Sequence, residues 1–498
     1  MSRFSLRPYQ YEFTQAVARD LSGEFQRVLG VAATGAGKTI IASELMDKWE
    51  GNCLFLADAK ELVRQNRDKF QAYTGKRCGV EMAEDHATAD DRVVVGTMQS
   101  MARRLDKWCP DHFRYLIVDE AHRNTLGEQA QGVLEHFGSA QVLGVTATPF
   151  RSDRKNLGDF YEKISCEIGL VRLIQEGYLS RIIVEQAPLP IDLSGVRTSG
   201  GDYRDTDLGD AVEPHLLQAA NLLKEKASGR KTVAFLPLVE TSKAFTQACR
   251  EVGLRAVHVD GKDRTGLAEY EAGRADVISC ASLLTTGWDS PKTDCVYVLR
   301  PTKSLTLYQQ MVGRGTRIAD GKENLLLLDP LYLVGDHNLI TPARLVAKTT
   351  EEANALQAKL GLMDDLLDAH KVSEEERISK LQEELERKAR RKAQKVDAIQ
   401  FCLSLSQIAA AEYRPELQWE KKAPTEKQAN HLARAGFDLS GIKYRGHASK
   451  ILDLLFTRRT HGLATPKQVI WLRKLGHPTP EEATFKEAGA FLSRKFGR

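Results

Sequence analysis

The stretch AATGAGKT, residues 32–39, constrains the fold of this chain more than any other feature. It lies between an apolar run, residues 28–31, and a helix-forming run, residues 40–45. A strand, a glycine-rich turn and a helix in this order point backbone N–H groups and the positive end of the helix dipole at an anion. The pattern therefore predicts a phosphate-binding loop in an α/β domain.

The side chains of this loop predict a nucleoside triphosphate as the anion. Glycines at 35 and 37 let the backbone pass close to phosphates, Lys38 can reach the β- and γ-phosphates, and the Thr39 hydroxyl can ligate Mg²⁺. The general pattern has glycine where this chain has Ala32, so the strict signature is missed by one residue. The predicted nucleotide contacts of the loop are Thr34, Gly35, Ala36, Gly37, Lys38 and Thr39.

The sequence DEAH, residues 119–122, follows the apolar run YLIV. This order places Asp119 at the carboxyl end of a strand, where it would hold Mg²⁺ directly or through water. Glu120 would orient and deprotonate an attacking water. An acidic strand end is common by itself, but one that follows a phosphate-binding loop favours a catalytic pair.

A second set of charged residues lies in QQMVGRGTR, residues 309–317. Arg314 and Arg317 are three apart, which predicts that they share one face of a helix. Guanidinium groups can neutralise the charge that develops on a γ-phosphate. If a second domain supplies them, the nucleotide bridges a cleft, and hydrolysis would open that cleft by a hinge motion. Two arginines on a helix are usually surface charge, but this context favours a function.

Short apolar runs alternate with helical patterns in two parts of the chain. We predict strands at residues 28–32, 53–57, 92–96, 115–118 and 142–145, and again at 232–235, 256–259, 277–279, 295–298 and 325–328. This rhythm is typical of parallel sheets with helices on both faces. The fold class is therefore α/β, with two such domains in tandem and a helical C-terminal region.

The predicted domains follow from shifts in composition. They are residues 1–190, a Gly-, Asp- and Ser-rich connector at 191–215, residues 216–345, a charged helical linker at 346–400 and a basic helical domain at 401–498. The linker is expected to form one long helix, as a spacer or a short coiled coil. Its apolar positions Ile378, Leu381 and Leu385 favour packing against a neighbour.

The last 75 residues contain an internal repeat with a period of 40 residues. TEKQANHLARAG (425–436) matches TPKQVIWLRKLG (465–476), and ASKILDLLF (448–456) matches AGAFLSRKF (488–496). We predict two copies of a helix pair, at 425–456 and 465–496, that share an apolar core. The favoured role of Thr425, Gln428, Thr465 and Gln468 is to form capping boxes that start helices.

The C-terminal region differs in charge from the rest of the chain. Residues 401–498 contain 17 Lys and Arg against 9 Asp and Glu, a net charge of +8, whereas the preceding 400 residues sum to −4. Such a tail can grip nucleic acid electrostatically, although solubility alone is an alternative. Four interleaved aromatics could stack on bases, but the repeat core is their favoured place: Tyr444, Trp471, Phe485 and Phe491.

Composition argues against several other classes of protein. Apolar residues make up 42% and charged residues 28% of the chain, as in ordinary globular domains. With no run of about 18 uncharged apolar residues, we expect no membrane span, and without a signal-peptide core at the start we expect a cytoplasmic protein. The eight cysteines are scattered, which argues against a structural zinc and against a disulfide framework.

The motifs in their order resemble those of a superfamily 2 helicase of the DEAH-containing type, over roughly residues 1–345. They are LRPYQ (6–10), AATGAGKT, LADAKELVRQ (56–65), VGTMQSM (95–101), DEAH, TATPF (146–150), LLTTGWDSP (283–291) and YQQMVGRGTR (308–317). The later motifs are similar to those of RadD-type and phage-encoded helicases, the XPB-like group and restriction motors. The resemblance implies two RecA-like domains that use ATP and Mg²⁺, in the nucleoid of a bacterial or phage-infected cell.

The resemblance also implies roles that the residues alone do not. Around the nucleotide, Arg7 and Gln10 would contact adenine, Gly287 and Asp289 would lie near the γ-phosphate and ribose, and Gln310 near the attacking water. Residues that would couple the ATP state to the grip on nucleic acid are His122, Thr146 and Thr148. Residues that would face the nucleic-acid backbone, which fixes position without reading sequence, are Lys60, Arg64, Thr97, Gln99 and Thr286.

One departure limits the resemblance to RadD. Those proteins carry a Cys-rich, zinc-binding region after the motor, and here the charged linker and the repeats stand in its place. Partners and substrates of RadD are therefore not transferred to this chain.

We therefore predict an ATP-dependent DNA helicase or translocase in DNA repair, recombination or replication, with the 3′ to 5′ polarity of the family. Two alternatives stay open at this point. One is an RNA-stimulated ATPase, because the motifs do not report the sugar. The other is a translocase on duplex DNA that does not unwind and is recruited by a protein partner through the repeats.

Overall fold

The computed structural model divides into two compact units, Met1–Ser373 and Glu374–Arg498. It describes residues 5–147, 157–185, 189–281, 284, 288, 290–329, 339–347, 349–360, 362–389, 398, 401–402, 405, 407–411, 413–415 and 417–496. The first unit contains two lobes, each built on its own parallel sheet.

The first lobe is built on a sheet of seven parallel strands. In chain order they are β1 (Arg27–Ala32), β2 (Cys53–Ala57), β3 (Gly79–Glu81), β4 (Val93–Thr97), β5 (Tyr115–Asp119), β6 (Gln141–Thr146) and β7 (Lys163–Ile168). Their order across the sheet is β3-β4-β2-β5-β6-β1-β7. Since all pairs are parallel, the carboxyl ends of β1, β5 and β6 lie along one edge, and ligands of such sheets bind there.

Helices cover both faces of this sheet. They are α1 (Pro8–Leu21), α2 (Lys38–Lys48), α3 (Lys60–Thr74), α4 (Met98–Ala102), α5 (Ala121–Asn124), α6 (Glu128–His136) and α7 (Leu170–Gln175). The alternation along β5 shows the two cores. Tyr115 and Ile117 point into one cluster, whereas Leu116 and Val118 point into the other. The continuous apolar runs of the sequence therefore reflect burial on both faces.

The second lobe has six parallel strands in the order β12-β13-β11-β14-β15-β8 and a two-stranded hairpin. The strands are β8 (Ile182–Glu185), the hairpin β9 (Thr198–Ser199) and β10 (Asp202–Tyr203), β11 (Thr232–Phe235), β12 (Ala256–His258), β13 (Val277–Cys280), β14 (Cys295–Val298) and β15 (Leu325–Leu328). The helices are α8 (Asp205–Val212), α9 (Leu216–Ala227), α10 (Val239–Glu251), α11 (Thr265–Glu271) and α12 (Leu305–Val312).

All ten predicted strands are present, within one or two residues at their ends. The five that the sequence did not predict are β3, β7, β8, β9 and β10. They are short or partly exposed, as in β7, where only Cys166 and Ile168 are buried. Without a continuous apolar run they give no clear signal.

The predicted boundary at residue 190 differs from the sheet assignment, because β8 already pairs with β15 in the second sheet. The predicted connector, 191–215, is also packed rather than loose. The Asp202 carboxylate accepts hydrogen bonds from Thr302 Oγ1 at 2.6 Å and from the Lys303 N–H at 2.8 Å. These bonds attach the hairpin to the second lobe.

The charged region does not form the single helix that the sequence predicts. It contains α13 (Thr350–Leu360) and α14 (Leu366–Ala389). Between them Asp364 accepts a hydrogen bond from the backbone of Val184, and Asp365 caps α14 by accepting from the N–H of Leu367 at 2.8 Å. Pairing with the edge strand β8 thus ends the first helix. The side chains of Ile378, Leu381 and Leu385 lie outside the described residues.

The C-terminal unit contains the helix pairs that the repeat predicts. Its helices are α15 (Ile408–Ala411), α16 (Glu426–Arg434), α17 (Arg445–Thr460), α18 (Pro466–Lys474) and α19 (Phe485–Phe496). Both capping boxes are confirmed: Thr425 Oγ1 accepts from the N–H of Gln428, and Thr465 Oγ1 from that of Gln468. In each copy the same glutamine then donates from Nε2 to a carbonyl 17 residues on, at 3.5 and 3.4 Å.

The expectation that the four interleaved aromatics pack in the repeat core is wrong for three of them. Tyr444, Trp471 and Phe485 are exposed, whereas Phe491 is half-buried and packs edge-on against His477. The core comes instead from aliphatic residues at equivalent positions of the two copies. Leu432 and Leu472 are fully buried, and so are Ala448 and Ala488.

Across the part of the chain that the structure describes, no helix combines the length and apolarity needed to cross a membrane. Nor do those residues bring three or more His, Cys, Asp or Glu side chains together in a way that could hold a metal ion. All eight cysteines are free, and Cys109 alone among them is exposed.

Candidate active site

The phosphate-binding loop connects β1 to α2 through two glycines in left-handed conformations. Gly35 has a φ of 90° and Gly37 a φ of 80°. Such angles strain any residue with a side chain. Gly37 is the N-cap of α2, so Lys38 and Thr39 occupy its first turn, where backbone N–H groups lack helical acceptors. The loop therefore has the geometry of an anion site.

The start of the chain is attached to this loop. Gln10 Nε2 and the Tyr9 hydroxyl both donate to the Ala36 carbonyl, at 3.1 and 3.0 Å. Gln10 Oε1 accepts from the Arg7 N–H at 3.0 Å. A Cβ added at Gly37 would lie 2.6 Å from Gln10 Nε2. The predicted nucleotide contacts Arg7 and Gln10 thus lie beside the loop, and Gln10 occupies the space next to Gly37.

Two tyrosines that the sequence analysis missed complete this corner. Tyr178 lies edge-on to Tyr9 with ring centroids 4.8 Å apart, and the Arg7 guanidinium lies 5.1 Å from the Tyr178 ring centroid. Burial raises the pKa of Tyr9. The sequence could have indicated Tyr9, because it adjoins the predicted contact Gln10. It could not have indicated Tyr178, because the contacts of Tyr178 are with residues far away in the chain.

The DEAH residues meet the loop at the same edge of the sheet. Asp119 ends β5, as predicted. Glu120 adopts φ 46° and ψ 50°, a left-handed conformation that costs about 1–3 kcal/mol for a residue with a side chain. Backbone N–H groups of Arg123 and Asn124 donate to the Glu120 carbonyl and hold this turn. The result brings Glu120 Oε1 to 3.6 Å from Lys38 Nζ.

The two neighbouring carboxylates have opposite pKa shifts. Burial, and then the charge of Glu120, raise the pKa of Asp119. Burial also acts to raise the pKa of Glu120, but Lys38, His122 and Arg123 together outweigh it and lower the value. Glu120 therefore keeps its negative charge, whereas the ionised form of Asp119 needs a further cation.

The oxygen atoms at this edge fit Mg²⁺. The Thr39 hydroxyl and the Asp119 carboxylate are hard ligands of the kind that Mg²⁺ prefers. A buried carboxylate with a raised pKa beside a second carboxylate would be stabilised in its charged form by a divalent cation. These two residues would hold the ion.

His122 connects the carboxylates to the neighbouring strand. Its Nδ1 lies 2.9 Å from Thr146 Oγ1, at the end of β6, and 3.4 Å from Glu120 Oε2. All three groups are mostly buried, so His122 links Glu120 to Thr146. Thr148, the third residue predicted to couple ATP state to grip, lies outside the described residues.

The prediction that Arg314 and Arg317 share a helix face is wrong. Helix α12 ends at Val312 with Gly313 as its C-cap, so both arginines lie in the loop that follows. A Cβ at Gly313 would overlap Thr34 of the phosphate-binding loop. In place of a further helical turn, the chain forms a loop in which Gly313 packs closely against the first lobe. Gln310, predicted near the attacking water, is buried on α12.

This arginine loop, residues 313–317, lies against the phosphate-binding loop. A Cβ at Gly35 would lie 3.2 Å from Thr316 Oγ1. Ser180 donates from its N–H to the Thr316 carbonyl at 2.7 Å and from Oγ to the Arg317 carbonyl at 3.1 Å. Arg314 is mostly buried and donates to the Trp288 carbonyl. The two lobes thus form one composite site.

Comparisons with known proteins agree with this geometry. Residues 3–151 match the family described as type III restriction enzyme, res subunit, and residues 214–319 match the helicase conserved C-terminal domain. Both lobes are thus similar to domains of superfamily 2 helicases.

Relatives of this chain include two yeast proteins. The Schizosaccharomyces pombe protein named putative mitochondrial ATP-dependent helicase irc3 is 30% identical over 65% of this chain and 57% of its own length. The Saccharomyces cerevisiae putative ATP-dependent helicase IRC3 is 25% identical over 65% of this chain and 51% of its own length. The chain thus spans about half the length of these curated relatives.

A phage protein and one solved structure add to the comparison. A 51.5 kDa protein of a Lactococcus phage is 28% identical over 59% of this chain and 63% of its own length. A solved fragment of a putative HsdR subunit of a type I restriction enzyme from Vibrio vulnificus has a TM-score of 0.54 at 22% identity, covering 68% of this chain and 67% of that one. The likeness to the solved fragment shows the fold, and the predicted pair of RecA-like domains is confirmed. The resemblance to RadD stays a prediction.

Lys322 was not predicted, yet it holds the arginine loop. Its Nζ donates to the carbonyls of Thr293 at 2.7 Å, Arg317 at 2.6 Å and Gly315. Burial lowers the pKa of Lys322 to about 8. Gly287 and Asp289, predicted near the γ-phosphate and ribose, lie outside the described residues.

The predicted nucleic-acid contacts divide into three groups. Lys60 and Arg64 are exposed on α3, four residues apart and hence on one face, and Gln99 is exposed on α4. Thr97 is buried as the N-cap of α4, where its Oγ1 accepts from the Ser100 N–H at 3.1 Å, so its local role is structural. Thr286 lies outside the described residues.

Proposed function

We propose that this chain hydrolyses ATP with Mg²⁺ between its two lobes and uses the energy to move on or unwind DNA. The observation that carries the proposal is the composite site. The glycine-rich loop after β1, the Glu120 carboxylate 3.6 Å from its lysine, and an arginine loop from the second lobe lie together.

The residues divide the chemistry among them. Lys38 and the N-terminal turn of α2 hold the β- and γ-phosphates, and Thr39 and Asp119 would hold Mg²⁺, which would supply neutralisation of phosphate charge. Glu120 stays ionised beside Lys38, so it can orient a water and accept its proton. Arg314 and Arg317 neutralise the charge that develops on the transferred phosphoryl group.

Coupling to movement follows from where these groups are attached. The arginine loop belongs to the second lobe, so loss of the γ-phosphate removes a tie between the lobes. Within the first lobe, the contact from Glu120 through His122 to Thr146 links the same event to β6. Lys60, Arg64 and Gln99 are exposed side chains that can contact a nucleic-acid backbone during this cycle.

DNA as the track is supported by the names of relatives. An Escherichia coli type I restriction enzyme EcoAI endonuclease subunit is 25% identical over 65% of this chain and 46% of its own length. The solved restriction-modification enzyme LlaBIII, described as bound to DNA, has a TM-score of 0.56 at 15% identity over 100% of this chain and 43% of that one. Roles in repair, recombination or replication and a cytoplasmic location remain our proposals.

The test is steady-state ATP hydrolysis by the intact chain and by Lys38→Ala, with Lys48→Ala, an exposed lysine at the end of α2, as the matched control. Each is assayed bare and with single-stranded DNA, blunt duplex, forked DNA and single-stranded RNA. We expect stimulation by DNA that Lys38→Ala abolishes and Lys48→Ala preserves. Equal or greater stimulation by RNA would reject DNA as the track. Stimulation by none of them would indicate a motor that requires a protein partner.

A further inference from the structure

The two helix pairs of the C-terminal unit expose the same kind of surface. Helices α16 and α18 begin the two repeats and each carries an exposed base, ring and base at positions i, i+4 and i+7. This spacing places each set on one helical face. We call the six residues the repeat stripe: Lys427, His431 and Arg434, and forty residues on, Lys467, Trp471 and Lys474.

The two halves of the stripe adjoin each other. A Cβ added at Gly436, just after α16, would lie 2.9 Å from Lys467 Cε. Gly436 has a φ of 89°, which turns the chain away and leaves room for that lysine. The beginning of α18 therefore meets the end of α16, and the stripe continues from one repeat into the next.

The stripe is strongly positive. Helix α18 contains no acidic residue, and α16 contains only Glu426. Among the described residues, no carboxylate lies within ion-pair distance of the four stripe cations, whereas the neighbouring Arg473 pairs with Glu481 at 3.2 Å. The ion pair thus lies beside the stripe and not on it, so the four cations are available to a polyanion.

Trp471 gives the stripe a second chemistry. Its side chain is 42% exposed, while its helix neighbours Val469 and Leu472 are fully buried. It does not contribute to the repeat core, and an exposed indole on a polar face is typical of a binding surface. Lys474 Nζ lies 5.0 Å from its ring centroid. A cation beside an aromatic face suits a phosphate next to an unstacked base.

We propose that the repeat stripe binds single-stranded DNA, with its four cations along the backbone and Trp471 stacked on a base. Stacking on an exposed ring requires an unpaired base, which a duplex does not offer, so the indole favours a single strand. The proposal rests on DNA as the substrate of the motor, and it gives the C-terminal unit a second DNA-binding surface. The tail would hold a strand while the lobes change their contacts.

The test measures equilibrium binding of an oligothymidylate to the intact chain, without ATP, over a range of salt concentrations. Replacing two phosphate contacts with Lys467→Gln and Lys474→Gln should lower the slope of log affinity against log salt by about 1.4. Trp471→Ala should weaken binding by roughly tenfold or more, and Trp471→Phe should keep most of the affinity. Quenching of tryptophan fluorescence by DNA should be largely lost in Trp471→Ala, since Trp471 is the most exposed tryptophan.

Matched controls are Lys486→Gln and Phe485→Ala, an exposed lysine and an exposed ring on α19 outside the stripe. Unchanged affinity and slope in the stripe variants would overturn the proposal. If the stripe variants lose as much affinity for blunt duplex, the choice of a single strand is overturned. If the parent chain binds an oligouridylate as tightly and the variants lose that affinity equally, the choice of DNA over RNA is overturned. Binding is measured without ATP, so its result does not depend on ATP hydrolysis. The ATPase test can therefore fail while the binding test succeeds, and the reverse.

Discussion

The proposed ATP site and the repeat stripe both carry charge suited to phosphate, but they hold that charge in opposite surroundings. At the proposed ATP site, Lys38 and Glu120 are only 17% and 16% exposed, and Asp119 is half-buried. The stripe cations stand in solvent on regular helices. Charges interact strongly where water is excluded and weakly where salt screens them. Buried charge therefore suits chemistry, and exposed charge suits a grip that must release.

The backbones differ in the same way. Around the ATP site the chain uses left-handed glycines and a strained Glu120 to direct groups at one point. In the repeats it uses capped helices, and its left-handed glycines lie in the turns between them, at Gly436, Gly462 and Gly476. If this contrast is right, single substitutions at the ATP site should cause large losses of ATP hydrolysis. Substitutions in the repeats should cause small effects that leave ATP hydrolysis unchanged.

The largest effect is expected from Glu120→Gln. The amide keeps the size of the side chain but cannot accept the proton of water, so ATP hydrolysis should fall by roughly 10²–10⁴-fold. Nucleotide binding, measured by titration with a fluorescent ATP analogue, should be retained. Glu128→Gln, an exposed carboxylate on α6, is the matched control. A loss below tenfold would show that Glu120 is not the general base.

The next effect concerns the contact between lobes. Gly313 has a φ of −59°, which any residue can adopt, so only its missing side chain allows it to meet Thr34. Gly313→Ala should separate the arginine loop from the phosphates, and a displacement near 1 Å can cost on the order of 10²-fold in rate. Steady-state hydrolysis measures this. Gly261→Ala, where a Cβ meets nothing, should be neutral, and an active Gly313→Ala would contradict the composite site.

A smaller effect should appear as a pH dependence. Protonated Lys322 has three N–H groups for three carbonyls, and the neutral amine has two. With a pKa of about 8, Lys322 is charged and the loop fully held below that pH. Above it one bond is lost, so hydrolysis should fall by roughly two- to tenfold.

The variant Lys322→Arg tests this assignment, because a guanidinium stays charged throughout the range. Its pH–rate profile should lack the alkaline decline of the parent chain. Lys322→Met should be slow at every pH. An identical alkaline decline in parent and Lys322→Arg would assign the titration to another group.

The smallest effect is expected in the repeats. Thr465→Ala removes the acceptor for the N–H of Gln468 and should cost helix α18 about 1 kcal/mol. Hydrogen exchange should quicken over residues 466–474, while hydrolysis without nucleic acid stays unchanged. Thr465→Ser keeps the acceptor and should behave as the parent. Lost ATPase activity in Thr465→Ala would mean that the two regions are not separable.

Sequence reasoning succeeded where the signal is local. The ten apolar strands, the phosphate-binding loop, the DEAH pair and both capping boxes each occupy a few consecutive residues, and backbone geometry dictates their form. It failed for β8, whose place depends on β15, and for the break before α14, which depends on pairing with β8. Nothing local reports a partner more than a hundred residues away.

By itself, the sequence determined the two parallel-sheet lobes, the glycine-rich loop between β1 and α2 and the repeated helix pairs. The tertiary structure alone decided that Arg314 and Arg317 lie in a loop, that Lys322 holds this loop and that Tyr178 lies beside Arg7. The spacing of the arginines is compatible with a helix. Gly313 packs so closely against Thr34 that a side chain there would overlap it, so packing between the lobes outweighed the local preference for a helix.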